Sequence, residues 1–202
     1  MRRCGAMAPD GSDGRFERRS RRVAYDNPWM TVWHDEVTRP DGSDGIYGVV
    51  HFENLAVGVL VLDDQDRTVL VGQHRYTLDE VSWEIPEGGV PADESALDGA
   101  KRELREETGL QAASWVELGR LSLSNSITDE RAVLFLATGL THGQASPEPA
   151  ESLEVRWLPF SDVLAMTLDG RIHDVLTVVA VERVALARSI AAASGAGVVE
   201  SQ

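Results

Sequence analysis

One cysteine, Cys4, serves the whole chain of 202 residues. No intramolecular disulfide can form, which excludes disulfide-stapled folds and suits a reducing compartment, so the cytoplasm is the expected location. Long apolar runs are also lacking. None approaches the length that a bilayer crossing needs, and no apolar stretch follows Met1-Arg2-Arg3-Cys4. Neither a membrane span nor a secretory or twin-arginine signal is expected. Positive charge is scarce: 19 Lys and Arg stand against 33 Asp and Glu, a formal net charge of −14. Such a surface is repelled by phosphate backbones and anionic lipid, so neither nucleic acid nor membrane is an expected partner. A small nucleotide is not excluded, because carboxylates reach phosphates through bound divalent cations. His34, His51, His74, His142 and His173 show no zinc-like spacing. A Gly-rich loop ending in Gly-Lys-Ser/Thr and a nucleophile elbow are both missing.

What is present is an ordinary globular mix, 43% hydrophobic and 26% charged, in a length that suits one domain with a sizeable core, or one domain with extra arms. Residues 1–20, rich in Gly, Asp, Ser and Arg, are expected to form a disordered arm. Residues 191–202, a run of small residues, are expected to be a flexible tail. The domain between them, 21–190, begins with a β arm of about 21–54. Short strands are expected at Val23 to Tyr25, Met30 to Trp33, Ile46 to Phe52, Ala56 to Leu62 and Thr68 to Val71. Gly88-Gly89 opens a loop, Glu94 to Thr108 carries a helical pattern, and Gly109 is a left-handed stop. Strands follow at Trp115 to Leu121, Ala132 to Ala137 and Leu153 to Leu158, then helices at Ser161 to Met166 and roughly Ile172 to Ile190. Strands mixed irregularly with few helices predict an α+β fold.

The chemistry concentrates in Gly88 through Leu110, GGVPADESALDGAKRELREETGL. Glu103, Glu106 and Glu107 fall three and four residues apart, on one face of a helix. Like charges at that spacing cost the helix on the order of a few tenths of a kcal/mol per pair. A hard cation offsets that cost, and Mg²⁺ takes carboxylate oxygens while bridging to phosphates. Three carboxylates alone would read as a solvated acidic face among Lys101, Arg102 and Arg105. The wider spacing decides otherwise. The stretch resembles the Nudix box, GX5EX7REUXEEXGU with U apolar, at every position: Gly88, Glu94, Arg102, Glu103, Glu106, Glu107 and Gly109, with Leu104 and Leu110 apolar. Seven identities at fixed spacing arise by chance on the order of once in 10⁸ starts.

The resemblance implies the Nudix fold, a mixed β-sheet sandwiched between helices. It also implies hydrolysis of a nucleoside diphosphate linked to another group, with Mg²⁺, or Mn²⁺ as the alternative. Carried over position by position, Glu103, Glu106 and Glu107 are metal ligands, one of them a candidate base. The backbone carbonyl of Glu87 is a further ligand, and Glu94 and Arg102 orient the helix carboxylates. A last carboxylate comes from a loop: Glu151 fits the register best, with Glu148 as fallback. An acidic surface loop is the plain reading of both.

Beyond the box, Asn27-Pro28-Trp29, Pro40-Asp41-Gly42, Gly72-Gln73-His74-Arg75-Tyr76 and Trp83-Glu84-Ile85-Pro86-Glu87 resemble the ADP-ribose and nucleotide-sugar pyrophosphatases. That subgroup implies a homodimer built by exchange of the N-terminal arm and a nucleotide-sugar substrate. Arg75 is then a phosphate contact, or else an ordinary surface ion pair. Trp29 stacks on a base or is buried at the dimer interface. Glu130 contributes to the substrate site or faces solvent. Ser124-Asn125-Ser126 stands where Pro-Gly is usual in strict ADP-ribose enzymes, which leaves room for other nucleotide sugars. Two competing readings are a Nudix hydrolase of damaged nucleoside triphosphates and a non-catalytic nucleotide-sugar sensor. The retained carboxylates speak against the sensor.

Overall fold

A computed structural model describes residues 14–145 and 153–195. The chain divides into two compact units, one of Met1–Glu53 with Ser122–Glu130, the other of Asn54–Leu121 with Arg131–Gln202.

The second unit carries the core. Its strands are β4 (Leu55–Val61), β5 (Arg67–Arg75), β6 (Glu80–Glu84), β7 (Glu87–Val90), β8 (Leu110–Ser122), β9 (Arg131–His142) and β10 (Glu154–Pro159). Its helices are α1 (Ala96–Thr108), α2 (Phe160–Leu168) and α3 (Val175–Ala193). One sheet runs β7-β4-β9-β8 and another β10-β5-β6. β4 pairs parallel with β9, Ala56 opposite Ala132 through Val61 opposite Ala137, and antiparallel with β7. Val57, Val59 and Val61 point to one face and pack with Ala100 and Leu104 of α1, Val133 and Phe135. Gly58, on the other face, lies against Ile85, Leu134 and Leu176 of α3. Both faces of β4 are therefore covered, which is why its sequence is a continuous apolar run rather than an alternating one. The mixed sheet between helices is the α+β Nudix fold that the sequence implies.

Several boundaries differ from the sequence reading: β6 is not among its expected strands, α1 begins at Ala96 rather than Glu94, and β8 begins at Leu110 rather than Trp115. Gly88-Gly89 does not open a loop; it lies within β7, because Glu87–Val90 pairs with Leu55–Gly58. The last helix begins after Asp174, whose carboxylate accepts from Thr177 N and caps it, so Ile172 and His173 precede the helix and Ala191 to Ala193 extend it. Among the described residues no helix is long and apolar enough to cross a membrane.

The first unit is a three-stranded antiparallel sheet of β1 (Glu17–Asp26), β2 (Met30–Thr38) and β3 (Asp44–Phe52). β1 starts at Glu17, so residues 17–20 belong to a strand and not to the disordered arm expected from their composition. Pairing with β2 overrides that composition. Arg21 donates to both oxygens of the buried Asp35 at 2.7 Å and lies over the Trp33 ring at 3.7 Å. These hydrogen bonds hold the Asp35 carboxyl below its ordinary range. Trp33 stacks on His51, whose Nδ1 is 2.6 Å from Asp129. The segment Ser122–Glu130 is tied on by Tyr47 Oη–H to Ser126 O (2.6 Å) and Val50 N–H to Ile127 O (2.9 Å).

Candidate active site

Helix α1 is fixed at both ends by its own sequence. Ser95 caps the start by accepting from Asp98 N. Gly109 ends it at φ 72°, a left-handed conformation that glycine adopts without strain. Gly99, Ala100, Leu104 and Glu107 form the buried side. A carboxylate on that side needs a donor, and Glu107 Oε2 accepts from Glu87 N–H at 3.2 Å. β7, which holds Glu87 and Gly88, and the carboxylate helix are thus joined directly.

Arg102 gathers the rest of the box. Nε and Nη2 donate to Glu94, Nη2 also to Gly89 O (2.8 Å), and Nη1 to Glu103 (2.6 Å) and Glu106 (3.2 Å). All five guanidinium N–H groups are used. Hydrogen bonding to Glu94, and then to Glu103 and Glu106, raises the pKa of Arg102 beyond its already high ordinary value. Lysine has three donors on one nitrogen and cannot span the same set.

A second constellation lies nearby in sequence. Arg75, at the end of β5, donates through Nε (2.9 Å) and Nη2 to Glu84, and through Nη2 to Glu87 at 2.8 Å. Its side chain is only 35% exposed and engages two carboxylates, which sets it apart from an ordinary surface ion pair. Burial works to raise the Glu84 carboxyl, but the Arg75 and Ser82 hydrogen bonds leave it below its ordinary range. Burial, then the neighbouring Asp174 and Glu84 charges, push the Glu87 carboxyl well up. Among the described residues the tight trio of carboxylates is Glu84, Glu87 and Asp174, within 4.8 Å of one another. Sequence reasoning assigned Glu87 a role through its backbone alone and gave Glu84 and Asp174 none. The available signal was two glutamates flanking an apolar Ile85-Pro86 pair, one strand after an arginine.

The donors of the box suit a hard divalent cation: carboxylates of Glu103, Glu106 and Glu107, plus the Glu87 carbonyl. Gly88 leaves the space they need. A Cβ there would stand 2.2 Å from the Glu103 carboxyl carbon. Trp29 and Glu130 belong to the first unit. Trp29 is 73% exposed, at a turn where Asn27 Oδ1 accepts its backbone N–H. Glu130 is part-buried, and burial raises its carboxyl pKa. Glu151 and Glu148 lie outside the described residues.

Comparison with known proteins places this geometry. The NUDIX domain model matches residues 53–177. The model of the nucleoside diphosphate sugar hydrolase N-terminal domain matches residues 16–50. The chain is 32% identical to the ADP-ribose pyrophosphatase of Mycobacterium tuberculosis, over 82% of this chain and 81% of the relative. It is 28% identical to the ADP-ribose pyrophosphatase of Bacillus subtilis, over 81% and 89%. Identity is also 28% to the CMP-5'-(N-acetyl-N-hydroxy-3-aminopropyl)phosphonate hydrolase of Streptomyces rubellomurinus, over 76% and 74%. A crystal structure of an ADP compounds hydrolase superposes with TM-score 0.78 at 19% identity, covering 89% of this chain and 96% of that one, a likeness of fold.

Proposed function

The chain belongs to the Nudix hydrolase family, and from that premise we propose that it cleaves the diphosphate of ADP-ribose or another nucleoside diphosphate sugar. Water attacks one phosphorus, the bridging P–O bond breaks, and a nucleoside monophosphate and a sugar phosphate leave. The observation that carries the substrate class is the nucleoside diphosphate sugar hydrolase match at 16–50 directly before the NUDIX match at 53–177. The site agrees with it chemically: an array of oxygen donors for metal and a guanidinium, Arg75, for phosphate.

Glu103, Glu106, Glu107 and the Glu87 carbonyl would hold Mg²⁺, with Mn²⁺ as a substitute. Bound there, the metal would neutralise charge on the diphosphate oxygens and acidify a water. Glu107 is kept aimed by the Glu87 N–H, and Arg102 with Glu94 orients Glu103 and Glu106. Glu151 is the proposed remaining carboxylate ligand, with Glu148 as the alternative. Trp29, as a stack for the base, and Glu130 are the further substrate contacts proposed.

A substrate panel with Mg²⁺, read by chromatography of the nucleoside monophosphate formed, tests this. ADP-ribose or another nucleotide sugar should show a far higher kcat/KM than any nucleoside triphosphate. A triphosphate at the head of the panel would overturn the assignment.

The proposed assembly is a homodimer that exchanges the arm Val23 to Val37. Val23, Tyr25, Trp29 and Ile46 are all more than half exposed, a concentration of apolar surface that suits a partner. Sedimentation at micromolar concentration should give twice the chain mass; a monomer there rules the exchange out. With Cys4 as its single cysteine the chain needs no oxidising compartment, and the cytoplasm is the proposed location.

A further inference from the structure

Glu84, Glu87 and Asp174 lie within 4.8 Å of one another, and none of them belongs to the box helix. The box pattern gives no reason for them. A divalent cation is the first occupant that such spacing suggests, but the Arg75 guanidinium is already bonded to two of the three. Its five N–H donors lie in one plane. Glu84 accepts from Nε and from Nη2, and Glu87 accepts from Nη2 as well. One edge of the plane is therefore fixed, while Nη1 bonds to none of the described residues.

The three carboxylates are not equivalent. Asp174 has structural work as the cap of α3, accepting from Thr177 N (2.7 Å) and Oγ1 (2.8 Å). Glu84 forms the bidentate pair with Arg75. Glu87 is the expensive one: its Oε2 is shut off from solvent and accepts no hydrogen bond from the described residues. Burying a carboxyl oxygen without a donor beside two carboxylates costs stability. Its other oxygen holds Arg75, and its main-chain N–H donates to Glu107.

We propose that the Glu87 side chain is a positioning residue: with Glu84 it clamps one edge of the Arg75 guanidinium so that the Nη1 N–H pair meets the diphosphate of the substrate. The inference rests on the reading of this site as a diphosphate hydrolase. It gives Glu87 two couplings. The side chain sets the phosphate-gripping arginine and the main chain sets the metal-holding helix, so their separation is fixed within one residue.

The test is steady-state kinetics on ADP-ribose with Mg²⁺, together with thermal unfolding, for Glu87→Ala, Glu87→Gln, Glu84→Gln, Arg75→Gln and the Glu87→Ala/Arg75→Gln pair. Glu87→Ala should raise KM about tenfold, the scale of one charge-assisted hydrogen bond, with little change in kcat. Glu87→Gln keeps an acceptor for Nη2 and should recover most of that loss, with a Tm at or above wild type. In the Arg75→Gln background Glu87→Ala should add nothing. Should Glu87→Ala fail to fold, a rise in KM for Glu84→Gln carries the same test from the other carboxylate. An unchanged KM in Glu87→Ala, or the same KM penalty with and without Arg75, overturns the clamp while hydrolysis stands. Wild-type protein that neither binds nor cleaves ADP-ribose or any other nucleotide sugar of the panel with Mg²⁺ overturns the clamp and the functional reading together.

Discussion

Glu107→Gln is expected to lower kcat on the order of 10²-fold or more while the protein keeps its fold. Glu107 is 4% exposed and lies on the buried side of α1. Its replacement has the same shape, and the amide oxygen can still accept the Glu87 N–H that Glu107 Oε2 accepts now. What disappears is the negative charge. A metal on the box helix would lose an anionic ligand, and the diphosphate would lose part of the charge compensation that matters most as its bridging bond breaks. Circular dichroism and thermal unfolding report the fold, and single-turnover rates at saturating Mg²⁺ report the chemistry. Normal turnover by folded Glu107→Gln protein would remove Glu107 from the metal site.

Gly88→Ala is expected to be nearly as damaging, although it removes no functional group. The new Cβ would stand 2.2 Å from Glu103 Cδ and 2.4 Å from Oε1, inside any tolerable contact. The backbone does not need to move to relieve this, because the obstruction is the far end of a flexible side chain. Glu103 swings away instead, and a carboxylate displaced by an ångström or more no longer serves the same metal geometry. The expected result is a kcat reduced on the order of 10²-fold with a small change in Tm. An additional Glu103→Ala substitution should then cost little more, since the ligand is already lost. Full activity in Gly88→Ala would mean that Glu103 works from a position other than the one it holds beside Gly88.

These two residues also show what the sequence makes legible. Helical spacing is local, so Glu103, Glu106 and Glu107 can be put on one face of α1 from the chain alone, and Ser95 and Gly109 mark where it starts and stops. β7 is different. Two successive glycines carry no strand preference, and Glu87–Val90 is a strand only because β4 offers a partner edge. The clamp on Arg75 is harder still. Glu84 and Glu87 look like ordinary polar residues around an apolar pair, and Asp174 arrives from the far end of the domain through the N-terminus of α3. No periodicity links them; packing does. The Asp174 cap itself was readable, since Asp directly before an apolar run is an N-terminal helix signature, and it would have placed the start of α3 correctly.

The first unit is assembled from two separate stretches of chain, and this has a consequence for how it comes into being. β1, β2 and β3 are made first on the ribosome, but Asp129, which receives the backbone N–H of Phe52 and the imidazole of His51, is added only after α1 and all of β8. The three strands must wait, with those donors open to water, until residue 130 has emerged. An expression fragment ending before Ser122 would contain every residue of the arm and still lack the piece that closes it. Conversely, a fragment starting at Asn54 would carry a nine-residue segment, Ser122–Glu130, made to pair with strands it no longer has. Neither cut respects a folding boundary, so the proposed exchange of this arm would have to carry the closure by Ser122–Glu130 with it or form it anew.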